Sequence, residues 1–275
     1  MQLSSRKGWL ACGVWIMMLC LALQSRAADA TVSTGSADEL QSALEDVVAA
    51  GGGTITVTAP ILIGDETNGP VDVGFDGVSN VVLTASSNSL FIVSDGSSLS
   101  LSNMALINGV STNGGAVYIF PGGTATFTNC LFSNNIALGV DGFSPGGTND
   151  TSSTNFVPRG QKGGAGTAGL GGAIFNLGTN LLSVFNCTFA TNSAFGGNGG
   201  DGADGGSGVT RGGTGGNGGA GGVALGGAIY TAGPVMMTNT TFSGNVALGG
   251  IGGTAGAGGA ALIGGVSGTG GVGGS

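Results

Sequence analysis

The sequence predicts an all-β chain folded as a right-handed parallel β-helix, a solenoid, with a short N-terminal capping helix and long glycine-rich loops. Three observations predict it. A block of alternating apolar residues recurs in register around four asparagines. A GGA[VI] start and an F-x-x-N close frame the later copies. Glycine, 62 of 275 residues, is concentrated in blocks between them.

The register is set by Asn103, Asn129, Asn186 and Asn239. Four positions earlier stand Leu99, Ala125, Leu182 and Val235, and two earlier Leu101, Phe127, Val184 and Met237. Three positions later stand Leu106, Phe132, Phe189 and Phe242. Upstream, Gly114-Gly115-Ala116-Val117, Gly171-Gly172-Ala173-Ile174 and Gly226-Gly227-Ala228-Ile229 open each copy, with Leu90-Phe91 in the earliest. Downstream, Asn135, Asn192 and Asn245 close it.

A period of two means strands with one buried face. A unit of about 26 residues cannot bury that face alone, but stacked units can. Stacking at about 4.8 Å turns each column into a ladder. Leu106, Phe132, Phe189 and Phe242 then form an inner ladder, each residue contributing roughly 1.5–3 kcal/mol by burial. The four anchoring asparagines fall where the alternation slips by one, as at a corner. Asparagine tolerates left-handed geometry there and bonds the asparagine above and below.

Residues 1–30 read as a secretory signal peptide. Arg6 and Lys7 precede an apolar run from Trp9 to Leu23 that is short for a bilayer. Ala28 and Ala30 suit cleavage before Thr31, Ser25-Arg26-Ala27 is a second candidate, and an uncleaved anchor is the alternative. Next comes a helix. Ser36 caps it, Glu39 reaches back, and Leu40, Ala43, Leu44 and Val47 make one apolar face. Gly51-Gly52-Gly53 ends it before a strand at Thr54–Val57. The open end of a stack is its natural seat.

The solenoid is expected over 31–246, with glycine-rich insertions at about 139–170 and 196–225 leaving one edge. Residues 247–275 are a glycine-rich tail. They carry no clear further copy, so the last coil lacks an evident cap. Either the chain continues beyond Ser275 or the tail folds over that end.

Without residues 1–30, Arg159, Lys162 and Arg211 are the remaining bases against 13 acids. This argues against nucleic acid and anionic membrane surfaces as partners, since both need basic patches. The absence of histidine excludes His-based triads and His-ligated zinc. The repeat walls lack acids from Leu99 to Leu138, Gly171 to Phe195 and Gly226 to Ser275. They therefore offer no carboxylate pair for glycoside chemistry. Asp72, Asp76 and Asp95 in the first coils are the remaining acid candidates, with solvated turn acids as the plain reading.

Gly196 to Asp204 fits the start of a calcium-binding nonapeptide through Asp201, without a tandem copy. Cys130 and Cys187 occupy equivalent positions. Their column also accepts Met104 and Thr240, which favours two buried thiols over a strained bridge. The glycine blocks resemble glycine-rich repeats of mycobacterial surface proteins. They read either as packed polyglycine helices on display or as flexible filler. The expected site residues are none: no catalytic, cofactor-binding or metal position is assigned.

GGAI paired with F-x-x-N, over about residues 99–246, resembles the repeat of the chlamydial polymorphic outer membrane proteins. The helix ending in GGGTITV and the segment LSNMALINGV look like pectin-lyase-like β-helix proteins. This resemblance implies an exported passenger, often an adhesin. Residues 247–275 cannot form the C-terminal barrel of that family. The expectation is a non-enzymatic secreted or cell-surface protein, outer membrane-associated if bacterial. Its expected partners are cell-surface glycans or proteins, and the mature chain has no membrane-spanning domain. The alternatives are a carbohydrate-active β-helix enzyme, a truncated relative of one, or a fragment without independent function.

Overall fold

A computed structural model of the chain describes residues 28–64, 72–85, 87–146, 157, 159–262, 266–267, 269 and 272–274. Most of the expected signal peptide lies outside them. The chain runs through β1 (Ala28–Val32), α1 (Ala37–Ala49), β2 (Gly53–Val57), β3 (Ile61–Ile63), β4 (Asp72–Ala85), β5 (Phe91–Val93), β6 (Ser98–Ile107) and β7 (Val110–Ser111). It continues through β8 (Val117–Ile119), β9 (Thr124–Thr128), β10 (Leu131–Ser133), β11 (Ile136–Leu138), β12 (Gly169–Leu170), β13 (Ile174–Asn176) and β14 (Leu182–Phe185). It ends with β15 (Thr188–Ala190), β16 (Ser193–Phe195), β17 (Ala224–Leu225), β18 (Ile229–Thr231), β19 (Val235–Thr238), β20 (Thr241–Ser243) and β21 (Val246–Leu248).

The all-β expectation holds, with α1 the one helix among the described residues. The strand pairs are parallel. One ten-stranded sheet runs from β1 through β2, β4 and β6 to β9/β10, β14/β15 and β19/β20. A second contains β3, β5, β8, β13 and β18, a third β7, β11, β16 and β21, and a short fourth β12 and β17. Each strand thus lies beside its sequence equivalent in the neighbouring repeat.

The predicted register is the observed one. Leu106 pairs with Phe132, Phe132 with Phe189, and Phe189 with Phe242. The Phe132 and Phe189 rings stack at 4.7 Å and 5°, and Phe189 and Phe242 at 5.1 Å and 10°. The column also runs further upstream than the four anchors suggest. Leu83 pairs with Leu106, Ile55 with Leu83 and Ala30 with Ile55.

The corners explain the asparagines. Asn103, Asn129, Asn186 and Asn239 have φ of 56°, 53°, 52° and 52°. Asn129 donates to Asn103 Oδ1 at 3.0 Å and Asn239 to Asn186 Oδ1 at 2.7 Å. A second left-handed column, not anticipated, is built from Asn108, Asn134 and Thr191, with Gly244 in the last repeat. Beside it Asn135 and Asn192 are fully buried. In the GGA starts, the first glycine supplies a positive φ, 66° at Gly171. A Cβ on the second, Gly172, would sit 2.0 Å from the Gly227 carbonyl oxygen of the next repeat.

Helix α1 occupies the connection between parallel strands β1 and β2. Leu40, Ala43, Leu44 and Val47 are buried with Val32, Ile55 and Leu83 in one core. Gly52 N–H donates to Val47 O and Gly51 N–H to Val48 O, the paired bonds that close a helix on a left-handed glycine. Ser36 Oγ accepts the Asp38 N–H at 3.2 Å. Glu39 reaches further back than a capping box requires. Its carboxylate accepts the Ser33 and Thr34 N–H groups at 3.0 and 2.8 Å. These bonds, with the Thr34 hydroxyl first among them, lower its pKa from 4.5 to about 2.

Two observations bear on the ends. Ala28–Ala30, assigned by sequence to the removed segment, pair with Gly53–Ile55 in β1. The described glycines of the tail bond sideways to the neighbouring rod rather than over the last repeat. Gly250, Gly253, Gly256 and Gly259 donate to Gly222, Gly219, Gly216 and Gly213. Phe242 is 48% exposed, against 0% for Phe189.

Candidate interaction surface

Two of the candidate acids of the first repeats are engaged by structural donors. Asp72 and Asp76 lie on exposed positions of β4, where Asp72 accepts the Ser98 hydroxyl at 2.6 Å. Asp76 accepts the Ser102 hydroxyl at 2.6 Å and the Asn103 amide at 2.7 Å. Those two donors hold its carboxyl below the usual range, so it stays ionised and is no general acid at neutral pH. Asp95 sits apart, in the turn between β5 and β6. Cys130 and Cys187 are free, buried thiols. Contact with the Cys187 sulfur, together with burial, holds the Cys130 thiol well above its ordinary range, which suits an inert core group.

The glycine blocks carry the unexpected geometry. Extended backbone cannot bond to itself at a three-residue turn, so its N–H groups need a neighbour. Here Gly196, Gly199, Gly202, Gly205 and Gly208 donate to the carbonyls of Leu248, Ile251, Thr254, Ala257 and Ala260. Gly160, Gly163, Gly166 and Gly169 donate likewise to Thr214, Asn217, Ala220 and Val223. Within one block the two limbs run antiparallel: Gly213, Gly216, Gly219 and Gly222 donate to Gly206, Ala203, Gly200 and Gly197. The three-residue period is that of a polyproline-II-type rod. The rods form an ordered layer that continues the strand register outward from β11, β16 and β21.

This packing dictates the sequence. A Cβ on Gly199 would meet the Gly219 oxygen at 2.0 Å, and one on Gly200 the Phe143 oxygen at 2.2 Å. Two rows of each inner rod are therefore glycine, with Ala203 the one substitution between Gly196 and Gly208. The third row is free to carry side chains: Asn198, Asp201, Asp204 and Ser207. Each of them accepts a backbone N–H from the next rod, at Ile251 (2.9 Å), Thr254 (2.7 Å), Ala257 (2.7 Å) and Ala260 (3.3 Å). Asp141 and Ser144 do the same for Asn198 and Asp201.

Asp201, the one calcium-type candidate, is thus bonded to the Thr254 hydroxyl and N–H, both at 2.7 Å. These bonds lower its pKa. Among the described residues no three His, Cys, Asp or Glu side chains gather to hold a metal. The basic residues lie elsewhere on the layer. Arg159 donates to the Thr214 hydroxyl at 3.0 Å, and Lys162 lines the same shallow hollow beside Asn217.

The missed signal was local period. Read in threes, Gly196–Gly208 is GGN-GGD-GAD-GGS-G, and Gly212–Val223 is GGT-GGN-GGA-GGV. Composition alone blurs that period because the blocks are short. No protein-family model, curated protein or solved structure matches this chain. Among the described residues no helix is long and apolar enough to cross a membrane.

Proposed function

We propose that the chain is a right-handed parallel β-helix, exported and non-enzymatic, that acts as an adhesin-like or structural passenger displaying its glycine layer. The observation that carries this reading is the layer itself. A stretch of filler has no reason to hold a backbone bond at every third residue, nor to spend its carboxylates on neighbouring N–H groups. An ordered plate built on a stack of strands is a rigid support for side chains at fixed spacing. Such a support favours repeated weak contacts with a partner that also repeats, as a surface glycan or protein array does.

The walls agree with a role without turnover. Their columns are apolar side chains, asparagines and glycines. The acids nearest to them are tied into structural hydrogen bonds.

The test is binding of the labelled mature chain to cell surfaces and immobilised glycans, beside a Gly199→Val/Gly202→Val variant. Each added Cβ would stand 2.0 or 2.2 Å from a carbonyl oxygen of the opposing limb. Binding by the native chain, lost in the variant while the far-ultraviolet strand signal stays, is the expected result. Equal binding by both chains argues against the layer as the display face. Release of reducing ends or unsaturated products from any polysaccharide overturns the non-enzymatic reading.

A further inference from the structure

The glycine layer is a plate two rods deep, and its charges are sorted between the two faces. Gly197, Gly200 and Ala203 donate to Thr167, Gly164 and Gln161 on one side and accept from Gly222, Gly219 and Gly216 on the other. The outgoing rod Gly196–Gly208 therefore packs between the return rods Gly160–Gly169 and Gly212–Gly222. Sideways bonds take a second row of each rod, so the third row faces away from the plate. On the outgoing rods that row carries Asp141, Asp201 and Asp204. On the return rods it carries Arg159, Lys162 and Arg211. All six are exposed, and they are the charged residues of the described layer. Among the described residues none of them forms an ion pair.

The two sets of charges also match in position. Counted along the rods from Ala203, Asp201 stands two residues before it and Asp204 one after. Asp141 lies beside Asn198, whose N–H it accepts, five before. The return rods run the other way, with Gln161 and Gly216 level with Ala203. Arg159 is then two after that level, Lys162 one before and Arg211 five after. Each base has the offset of one acid with its sign reversed. A half turn about the plate normal at Ala203 therefore carries Asp201, Asp204 and Asp141 to the levels of Arg159, Lys162 and Arg211. It also reverses the order of the rods. When the rod of Asp201 lies on that of Arg159, the rod of Asp141 lies on that of Arg211.

We infer that a second copy of this chain stacks on the first, acidic face on basic face, turned by that half turn. Three features select a second copy. The faces are of opposite sign and carry equal numbers of charges. Both present their side chains at the same three-residue repeat, about 9.3 Å along a rod, so one pair in register brings the next into register. The half turn also puts the two stacks of strands at opposite ends of the rods, clear of one another. In this contact each aspartate keeps Oδ1 on its backbone N–H and offers Oδ2 to a base of the other copy. Because opposite faces of one chain meet, a bound copy still offers its other face, and the assembly grows beyond two.

The experiment is light scattering on the purified chain at about 100 µM, in about 50 mM and about 500 mM salt. The expected mass is at least twice that of one chain at low salt and that of one chain at high salt. Asp201→Asn/Asp204→Asn keeps the Oδ1 acceptors and loses the charge, and Arg159→Gln/Lys162→Gln neutralises the other face. Each variant alone is expected to stay single. Their equal mixture is expected to regain the mass of two, because each supplies the face the other lacks. A native chain that stays single at low salt overturns the inference, as does association that survives in either variant or is absent from the mixture. Carbodiimide coupling of the native chain is the readout if a variant fails to fold. It is expected to join Lys162 to Asp204, which lie on opposite faces of one copy, so the new amide links two chains. Products without that link overturn the half-turn stacking.

Discussion

Asn135 and Asn192 share one oxygen. The Oδ1 of Asn192 accepts both the Asn135 side-chain amide at 2.9 Å and the Asn135 backbone N–H at 3.1 Å, with both residues fully buried. Asn192 in turn donates to Phe132 O at 3.0 Å and to Asn245 Oδ1 at 2.9 Å. The polar ladder runs beside the stacked phenylalanines and fixes which repeat sits on which.

Replacing Asn192 with Ala removes the acceptor for a buried N–H and the donor to a buried carbonyl. The expected loss is about 2–4 kcal/mol of unfolding free energy. Asn245→Ala, at the part-buried end of the same ladder, is expected to cost about 1 kcal/mol. Denaturant titration of both variants checks the gradient, and equal losses would show that the ladder is not read by burial.

Thr191 holds a φ of 55°, in a column whose other members are Asn108, Asn134 and Gly244. A β-branched residue is strained there. Thr191→Asn is expected to stabilise the fold by about 1 kcal/mol. A lower thermal midpoint than the parent would mean that the Thr191 hydroxyl bonds to Asn134 and Ala190 outweigh the backbone gain.

The glycine layer makes a prediction at single amides. Gly163 and Gly166 donate to Asn217 and Ala220, whereas Lys162 and Ala165, the residues just before them, have no backbone acceptor among the described residues. Amide hydrogen exchange is expected to be slow at the two glycines and fast at Lys162 and Ala165. Uniformly fast exchange across Gly160–Gly169 would mean that the layer is not formed in solution.

Glu39 ties stability to acid. Its folded pKa of about 2 lies below the ordinary 4.5, so between those values the unfolded chain binds more protons than the folded one. Its contribution is complete above about pH 4.5 and lost as the pH falls toward about 2. In thermal melts the gap between the parent and Glu39→Gln is therefore expected to shrink over that window. A gap that stays constant would separate the capping bonds from the charge.

The start of β1 bears on processing. Cleavage before Thr31 would strip Ala28, Asp29 and Ala30 from their pairing with Gly53, Thr54 and Ile55. Cleavage after Ala27 keeps all five pairs. If the chain is exported and cleaved as proposed, N-terminal sequencing of the product is expected to begin at Ala28, and a start at Thr31 would show that β1 forms without its first three residues.

Much of the architecture was legible because repetition makes local patterns redundant. Leu99, Ala125, Leu182 and Val235 align by eye, and they align in space for the same reason: parallel stacking sets each residue beside its equivalent. The helix was legible from Ser36, four apolar positions and the glycines that end it. The extra pairs of β1, β2 and β4 were less so. There the columns hold Ala30, Ile55 and Leu83 without the asparagine and GGA marks, and β4 shifts register between Asp76 and Val81.

The sequence alone determined the all-β class, the register of the repeats, the corner asparagines and the lack of a histidine or acid-pair chemistry in the walls. Each depends on residue type at fixed spacing. The tertiary structure decided that the described parts of 139–170 and of Gly196–Leu225 contribute an ordered layer and that the described glycines of the tail extend this layer. The reason is physical: a glycine rod has neither side chains to pattern nor bonds of its own, so its order exists only in the neighbours that accept its N–H groups.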